Sequence, residues 1–141
     1  MKKTTGLLLG VMMASAAVSA QARDTELKLS IQEAMKSPEA QQVLDPSVKV
    51  SFGGGGGAII KKDLVSNKKT NAVGKSDEQA CQWAFLSAVK QFQETAKSKG
   101  ASRVVNVVSY YKRNTFGSST EYECHAGAIM AGVALKGDLA H

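Results

Sequence analysis

SDEQACQWAFLSAVKQFQETAKSKG, residues 76–100, carries start, stop and periodicity signals of a helix in one unbroken run. Ser76 with Gln79 three positions on forms a capping box, in which the serine hydroxyl accepts from an open N–H of the first turn. Asp77 and Glu78 put negative charge at the positive end of the helix dipole, and Lys97 and Lys99 followed by Gly100 mark the stop. The spacing predicts one helix from Ser76 to Gly100. At 100° per residue Cys81, Ala84, Phe85, Ala88, Val89, Phe92 and Ala96 share one face, an apolar stripe that needs a cover. Trp83 and Leu86 fall on the other side among Gln79, Lys90, Gln93, Glu94 and Lys97, where they form either a docking pair or a patch that the N-terminal arm or the Lys61 to Val73 region folds over.

Working downstream, Arg103 to Tyr111 is rich in Val and Tyr and reads as a strand, Asn114 to Ser119 as a turn, and Thr120 to Leu135 as a longer strand. A strand folded back along the helix runs antiparallel to it, so the next strand begins beside the helix start. That brings Cys124 to Cys81, as a disulfide requires. Alternation along the last strand sends Tyr122, Cys124, Ala126, Ala128 and Met130 to the helix side, and Glu121, Glu123, His125, Gly127, Ile129, Ala131 and Val133 to the other face. Upstream, Val48 to Phe52 and Ala58 to Val65 read as strands joined across the loop Gly53 to Gly57, and Ser30 with Glu33 marks a short helix start. The expected fold is α+β: a small antiparallel sheet packed on one long helix, with a helix-strand-strand core stapled by one disulfide.

The N-terminus has a different character. Lys2 and Lys3 precede an apolar run from Leu7 to Val18 that ends in small residues, the order of a secretory signal, with cleavage after Ala20 or Ala22. About twelve apolar residues fall short of the roughly twenty that cross a bilayer, so no stable membrane insertion is expected. The chain thus divides into a signal peptide over 1–22, an N-terminal arm with a short helix, a strand and the glycine-rich loop over 23–57, and a disulfide-stapled core over 58–141. Two cysteines in an exported chain read as a bridge. A structural zinc wants four ligands, and beyond the cysteines only His125 and His141 remain, so neither metal nor cofactor is expected.

Charge narrows the function classes. The 141-residue chain has a net charge of +6, of which Lys2 and Lys3 contribute two. Its lysines are scattered with few aromatics between them, which is no nucleic-acid footprint. Gly74-Lys75-Ser76 resembles the second half of a phosphate loop, but the first glycine of that motif is replaced by Lys69 and the residues before it are polar. Gly74, Lys75 and Ser76 therefore read as a helix cap. Glu123 and His125 share a strand face and form the best catalytic-looking pair, since a neighbouring carboxylate tunes an imidazole. Tyr110, Tyr111, Lys112 and Arg113 form a second candidate contact cluster near a hairpin tip.

The stretches VSNKKTN (65–71), GKSDE (74–78), VSYYK (108–112) and YECHAGAIMAGVALKG (122–137) resemble a family of small exported proteins of Gram-negative bacteria that circulates under the name "excinuclease ATPase subunit". The resemblance implies an envelope protein. The ATPase and DNA-repair activity in that name is contradicted by the incomplete phosphate loop, the export signal and the short chain. The helix-strand-strand core with a bridge is also distantly similar to the periplasmic domain of the stress-sensor lipoprotein of the Rcs pathway, without its lipid-bearing cysteine. Two readings follow for a periplasmic or secreted protein. One is a non-catalytic module that binds another envelope protein, a glycan or a second copy of itself, through Trp83 and Leu86 or through the sheet around Ile129 and Val133. The other is a small hydrolase or metal-dependent enzyme built on Glu123 and His125.

Overall fold

The computed structural model describes residues 23–141, so the expected signal peptide lies outside the described residues. Six strands form one sheet: β1 (Thr25–Ser30), β2 (Lys49–Phe52), β3 (Ile59–Asn71), β4 (Arg103–Ser109), β5 (Glu121–Ala126) and β6 (Met130–Ala140). Two short helices, α1 (Ile31–Lys36) and α2 (Pro38–Val43), precede the long α3 (Asp77–Ser98). The mixed α+β character holds, but the sheet is neither small nor wholly antiparallel. β2 pairs β4 in parallel, because the chain between them includes the helical crossover that parallel pairing requires.

The predicted helix is α3. Ser76 is its N-cap, the hydroxyl accepting from Gln79 N at 3.1 Å, and all seven stripe residues are buried. Their cover is the concave side of the sheet, where Phe85 stacks on Tyr122 with ring centroids 4.1 Å apart and meets Phe52 at 5.7 Å. Cys81 and Cys124 form the disulfide, with Cα atoms 5.8 Å apart and neither residue exposed.

β6 is the axis of the sheet. One edge pairs with β3 along its whole length, while the other pairs first with β5 (His125 opposite Gly132) and then with β4 (Val104 opposite Leu139). Both long neighbours are interrupted at the same level, where Asp63 on β3 and Asn106 on β4 adopt left-handed backbone conformations with φ of 58° and 57°. Asp138 of β6 serves both, accepting from Asp63 N at 2.8 Å and from the Asn106 side chain at 2.9 Å. Such bulges increase local twist, and paired bulges on either side of one strand curl the sheet around α3.

Three expectations fail here. The single strand from Thr120 to Leu135 is two strands, broken at Gly127–Ile129, where Gly127 N donates to Met130 O at 2.8 Å. The hairpin resets the alternation. Ala131 and Val133 are therefore buried against α3 instead of facing away, and Ala128 and Met130 are exposed instead of facing the helix. β3 also continues to Asn71, six residues past the predicted end, because the polar run after Val65 lies on an edge with one side to solvent. Its inward Ser66 is buried and donates to Ala88 O at 2.8 Å. Lastly, Leu86 is buried, not exposed, and Trp83 is half-buried, because α1 and α2 pack on the side of α3 that the wheel assigned to solvent. Gln82 Nε2 donates to Glu39 of α2 at 3.1 Å across that contact.

Two exposed ion pairs tie segments to α3. Arg23 forks onto Asp77 at 2.7 and 2.9 Å, and Lys97 donates to Asp45 at 2.7 Å. The guanidinium holds Asp77 below the usual carboxylate range, and Lys97, helped by Ser47, does the same for Asp45. A carboxylate depressed in the folded state stabilises above its unfolded value of about 3.9 and loses that contribution as pH falls through the folded value. The melting temperature should therefore fall on acidification below about pH 4. In thermal melts at pH 5 and pH 3, Lys97→Met should show a smaller acid-induced drop than the parent chain; an equal drop would remove Asp45 from the account.

Candidate functional site

β5 carries the cluster on its outward face. Tyr122, Cys124 and Ala126 point into the core, so Glu123 and His125 share the other side. Pairing with β1 sets Lys28 opposite Glu123 and Glu26 opposite His125, the cross-strand neighbours that interact most strongly. His125 Nε2 lies 2.8 Å from Glu123 Oε2, and its Nδ1 lies 2.9 Å from Asp24 Oδ1. Glu26 Oε1 is 3.9 Å from the same Nε2, and Lys28 Nζ sits 3.4 Å from Glu26 Oε1 and 3.6 Å from Glu123 Oε1. Ser109 of β4 fixes the backbone beneath, its hydroxyl accepting from Glu123 N at 2.9 Å.

Tyr111 closes the cluster from above. Its ring stacks on the imidazole with centroids 3.6 Å apart and planes 8° from parallel. It reaches this position from a single 3-10 turn, Tyr111–Arg113, in which Lys112 and Arg113 take left-handed φ values of 51° and 64°. Burial, reinforced by the charges of Asp24 and Glu123, pushes the Tyr111 hydroxyl above its ordinary pKa. The phenol stays neutral.

Beside Tyr111 and His125 runs an open groove of about 690 Å³, walled by Arg23, Asp24 and Lys69 and floored by the β5–β6 hairpin from Gly127 to Gly132. Small residues keep the floor low: a Cβ at Gly127 would come within 2.9 Å of Arg23 O. Past Lys69, Tyr111 and Gly132, which line both, a second hollow of about 410 Å³ continues between Asn67, Lys68 and Lys112. The hairpin tip is apolar and open. Ile129 is 66% exposed and Met130 44%, and Val73 on the adjoining loop is 62% exposed. That loop is tied to the tip by Ala72 N donating to Ile129 O at 2.7 Å.

The structure brings Glu123, His125 and Tyr111 into one cluster and adds Asp24, Glu26 and Lys28, which the sequence reading missed. Glu26 and Lys28 come from β1, a six-residue strand whose TELKLS alternation is a legible strand signal, and Asp24 immediately precedes it. The other candidates separate. Tyr110 lies under Lys136, whose Nζ is 4.6 Å from the ring centroid, while Lys112 and Arg113 are exposed on the turn. Trp83 is on α3 and half-buried. Gly74, at φ +74°, Lys75 and Ser76 form the turn into α3, and Lys75 Nζ donates back to Asn71 O at 3.2 Å. Ser76 spends its hydroxyl on the helix N-terminus, and no cradle of backbone N–H groups wraps a phosphate there. Among the described residues, no helix is long and apolar enough to cross a membrane. No protein-family model, curated protein or solved structure matches this chain.

Proposed function

We propose that this chain is an exported, non-catalytic binding module of the bacterial envelope, and that its groove receives an apolar segment flanked by acidic residues on another envelope protein. The observation that carries this reading is the composition of the groove's two sides. Ile129, Met130 and Val73 offer an exposed apolar rim, while Lys68, Lys69 and Lys112 line the opposite stretch with positive charge. Contiguous apolar surface rimmed by polar groups marks interaction sites, and complementary charge steers a partner into register. The disulfide supports export, since such bonds persist in oxidising compartments.

The enzyme reading has less behind it. Both imidazole nitrogens of His125 face carboxylates, so no hydroxyl stands in line to be activated, and both cysteines are oxidised. The resemblance of the motifs to a family of small exported proteins supports a place in the envelope.

A photo-crosslinking residue placed at Met130 should capture a partner in intact cells, whereas the same residue at Lys90, on the exposed side of α3, should not. Ile129→Glu should lower the Met130 adduct at least tenfold without changing the melting temperature, because Ile129 buries little. An adduct of twice the chain's own mass would assign the groove to a second copy instead. Equal yields at Met130 and Lys90 would sink the groove reading altogether.

A further inference from the structure

Three carboxylates converge on a single imidazole where β1 meets β5. Each ring nitrogen faces a carboxylate oxygen: Nδ1 abuts Asp24 Oδ1 at 2.9 Å and Nε2 abuts Glu123 Oε2 at 2.8 Å. With the hydrogen on Nδ1, the Nε2 lone pair faces a carboxylate oxygen whose side chain is only 10% exposed. These two electron-rich atoms are held at that distance by a positive charge between them, a proton or a metal cation. Lys28 does not supply it, since it approaches the Oε1 atoms of Glu26 and Glu123 and not the oxygen that faces the ring. Arg23 is committed to Asp77. Asp24, Glu26 and Glu123 against Lys28 leave a formal excess of two negative charges around the ring.

We infer that Glu26, Glu123 and His125 form a site for one divalent transition cation of the zinc type. Their donor atoms all lie within 4.8 Å of one another. Zinc bonds of about 2.0–2.2 Å place neighbouring donors roughly 3.4 Å apart in a tetrahedron. That value falls between the 2.8 Å and 3.9 Å separations from Nε2 to Glu123 and Glu26, so small rotations of two carboxylates suffice. An imidazole with carboxylates suits zinc, while magnesium and calcium take oxygen alone. Asp24 holds Nδ1 as an outer carboxylate, the arrangement that fixes the ring tautomer of a metal-bound histidine. Tyr111, stacked on the ring, sets its plane. Three protein donors leave a coordination position for water, and the charge balance closes with a divalent ion.

The test is calorimetric titration of the purified, oxidised protein with zinc sulfate, with cobalt(II) absorption as a second readout. One equivalent should bind with a Kd below about 10 μM, and cobalt should give the intense visible bands of a low-coordinate site. His125→Ala should abolish binding, and Asp24→Asn should weaken it roughly 10–100-fold. Because His125→Ala also removes a contact between β1 and β5, Glu26→Gln provides the cleaner variant. Glu26 is 53% exposed on an edge strand, so this substitution should leave the metal-free melting temperature unchanged while weakening zinc at least tenfold. No heat at one equivalent, or zinc affinity that survives both His125→Ala and Glu26→Gln, would overturn the assignment. Zinc uptake is read without any partner, so it stands or falls apart from the groove reading.

Discussion

Replacing Cys81 and Cys124 together by alanine is expected to destabilise the protein by about 4 kcal/mol, the chain-entropy value for a loop of this length. The bridge spans 43 residues and encloses most of α3, all of β4 and the start of β5, so the unfolded chain without it gains the freedom of the longest stretch of the core. For a domain of this size the melting temperature should fall by roughly 12–20 °C. The backbone need not move, because alanine keeps each Cβ, although the two buried sulfurs leave a small void behind. The loss should therefore appear mainly as easier unfolding. A calorimetric comparison of oxidised, reduced and double-alanine protein checks this. The reduced and double-alanine forms should melt together, well below the oxidised form. A shift under about 3 °C would mean that the curled sheet already holds α3 without help.

Why the bridge was legible while its surroundings were not follows from the range of the signals involved. Cys81 lies on an apolar stripe with a period of 3.6, and Cys124 on a strand with a period of two. Both patterns are local, and each residue's direction follows from its neighbours. The helix-strand-strand order then fixes their meeting. The same local rule misled beyond Ala126, because a hairpin of three residues, Gly127–Ile129, contains no Asn-Gly or Pro signal and was read as continuous strand. One missed turn inverted every face after it, sending Val133 outward on paper and inward in the molecule. The parallel pairing of β2 with β4 was out of reach for another reason. It joins segments separated by β3 and α3, and nothing in KVSF names its neighbour.

The candidate site divides along the same line. Glu123 and His125 are two residues apart on one strand, so their shared face could be read directly. Glu26 and Lys28, with Asp24 just ahead of them, arrive by the pairing of β1 with a strand about a hundred residues away in sequence, and periodicity carries no information about that register. The chemistry of Tyr111 suits a surface contact, as its place beside Tyr110 and two basic residues suggests. Its position over the imidazole depends on two consecutive left-handed residues, Lys112 and Arg113, neither of which advertises that conformation.

Gln93→Leu is expected to cost about 3 kcal/mol, although the helical wheel places this residue among exposed polar neighbours. Its side chain is 3% exposed and replaces a missing backbone ladder: Oε1 accepts from Asp45 N, while Nε2 donates to Asp45 O and Val48 O, each at 2.9 Å. These groups belong to the link between α2 and β2, which has no strand of its own to satisfy them. Leucine keeps the volume and deletes all three bonds; Asp45 O keeps the N–H of Val48 at 3.2 Å, but Asp45 N and Val48 O lose their partners, at about 1–2 kcal/mol each. The melting temperature should drop by roughly 10 °C, whereas Glu94→Leu, one position on and exposed, should change stability by less than about 0.5 kcal/mol. The damage should be local before it is global. Hydrogen exchange at Asp45 N–H should lose its protection in Gln93→Leu at temperatures where the α3 amides keep theirs, since the link detaches while the disulfide still holds α3 to β5. If the Asp45 amide stays as protected as in the parent chain, water has replaced the glutamine. The polar face of α3 would then be decoration and not the anchor of the chain that crosses it.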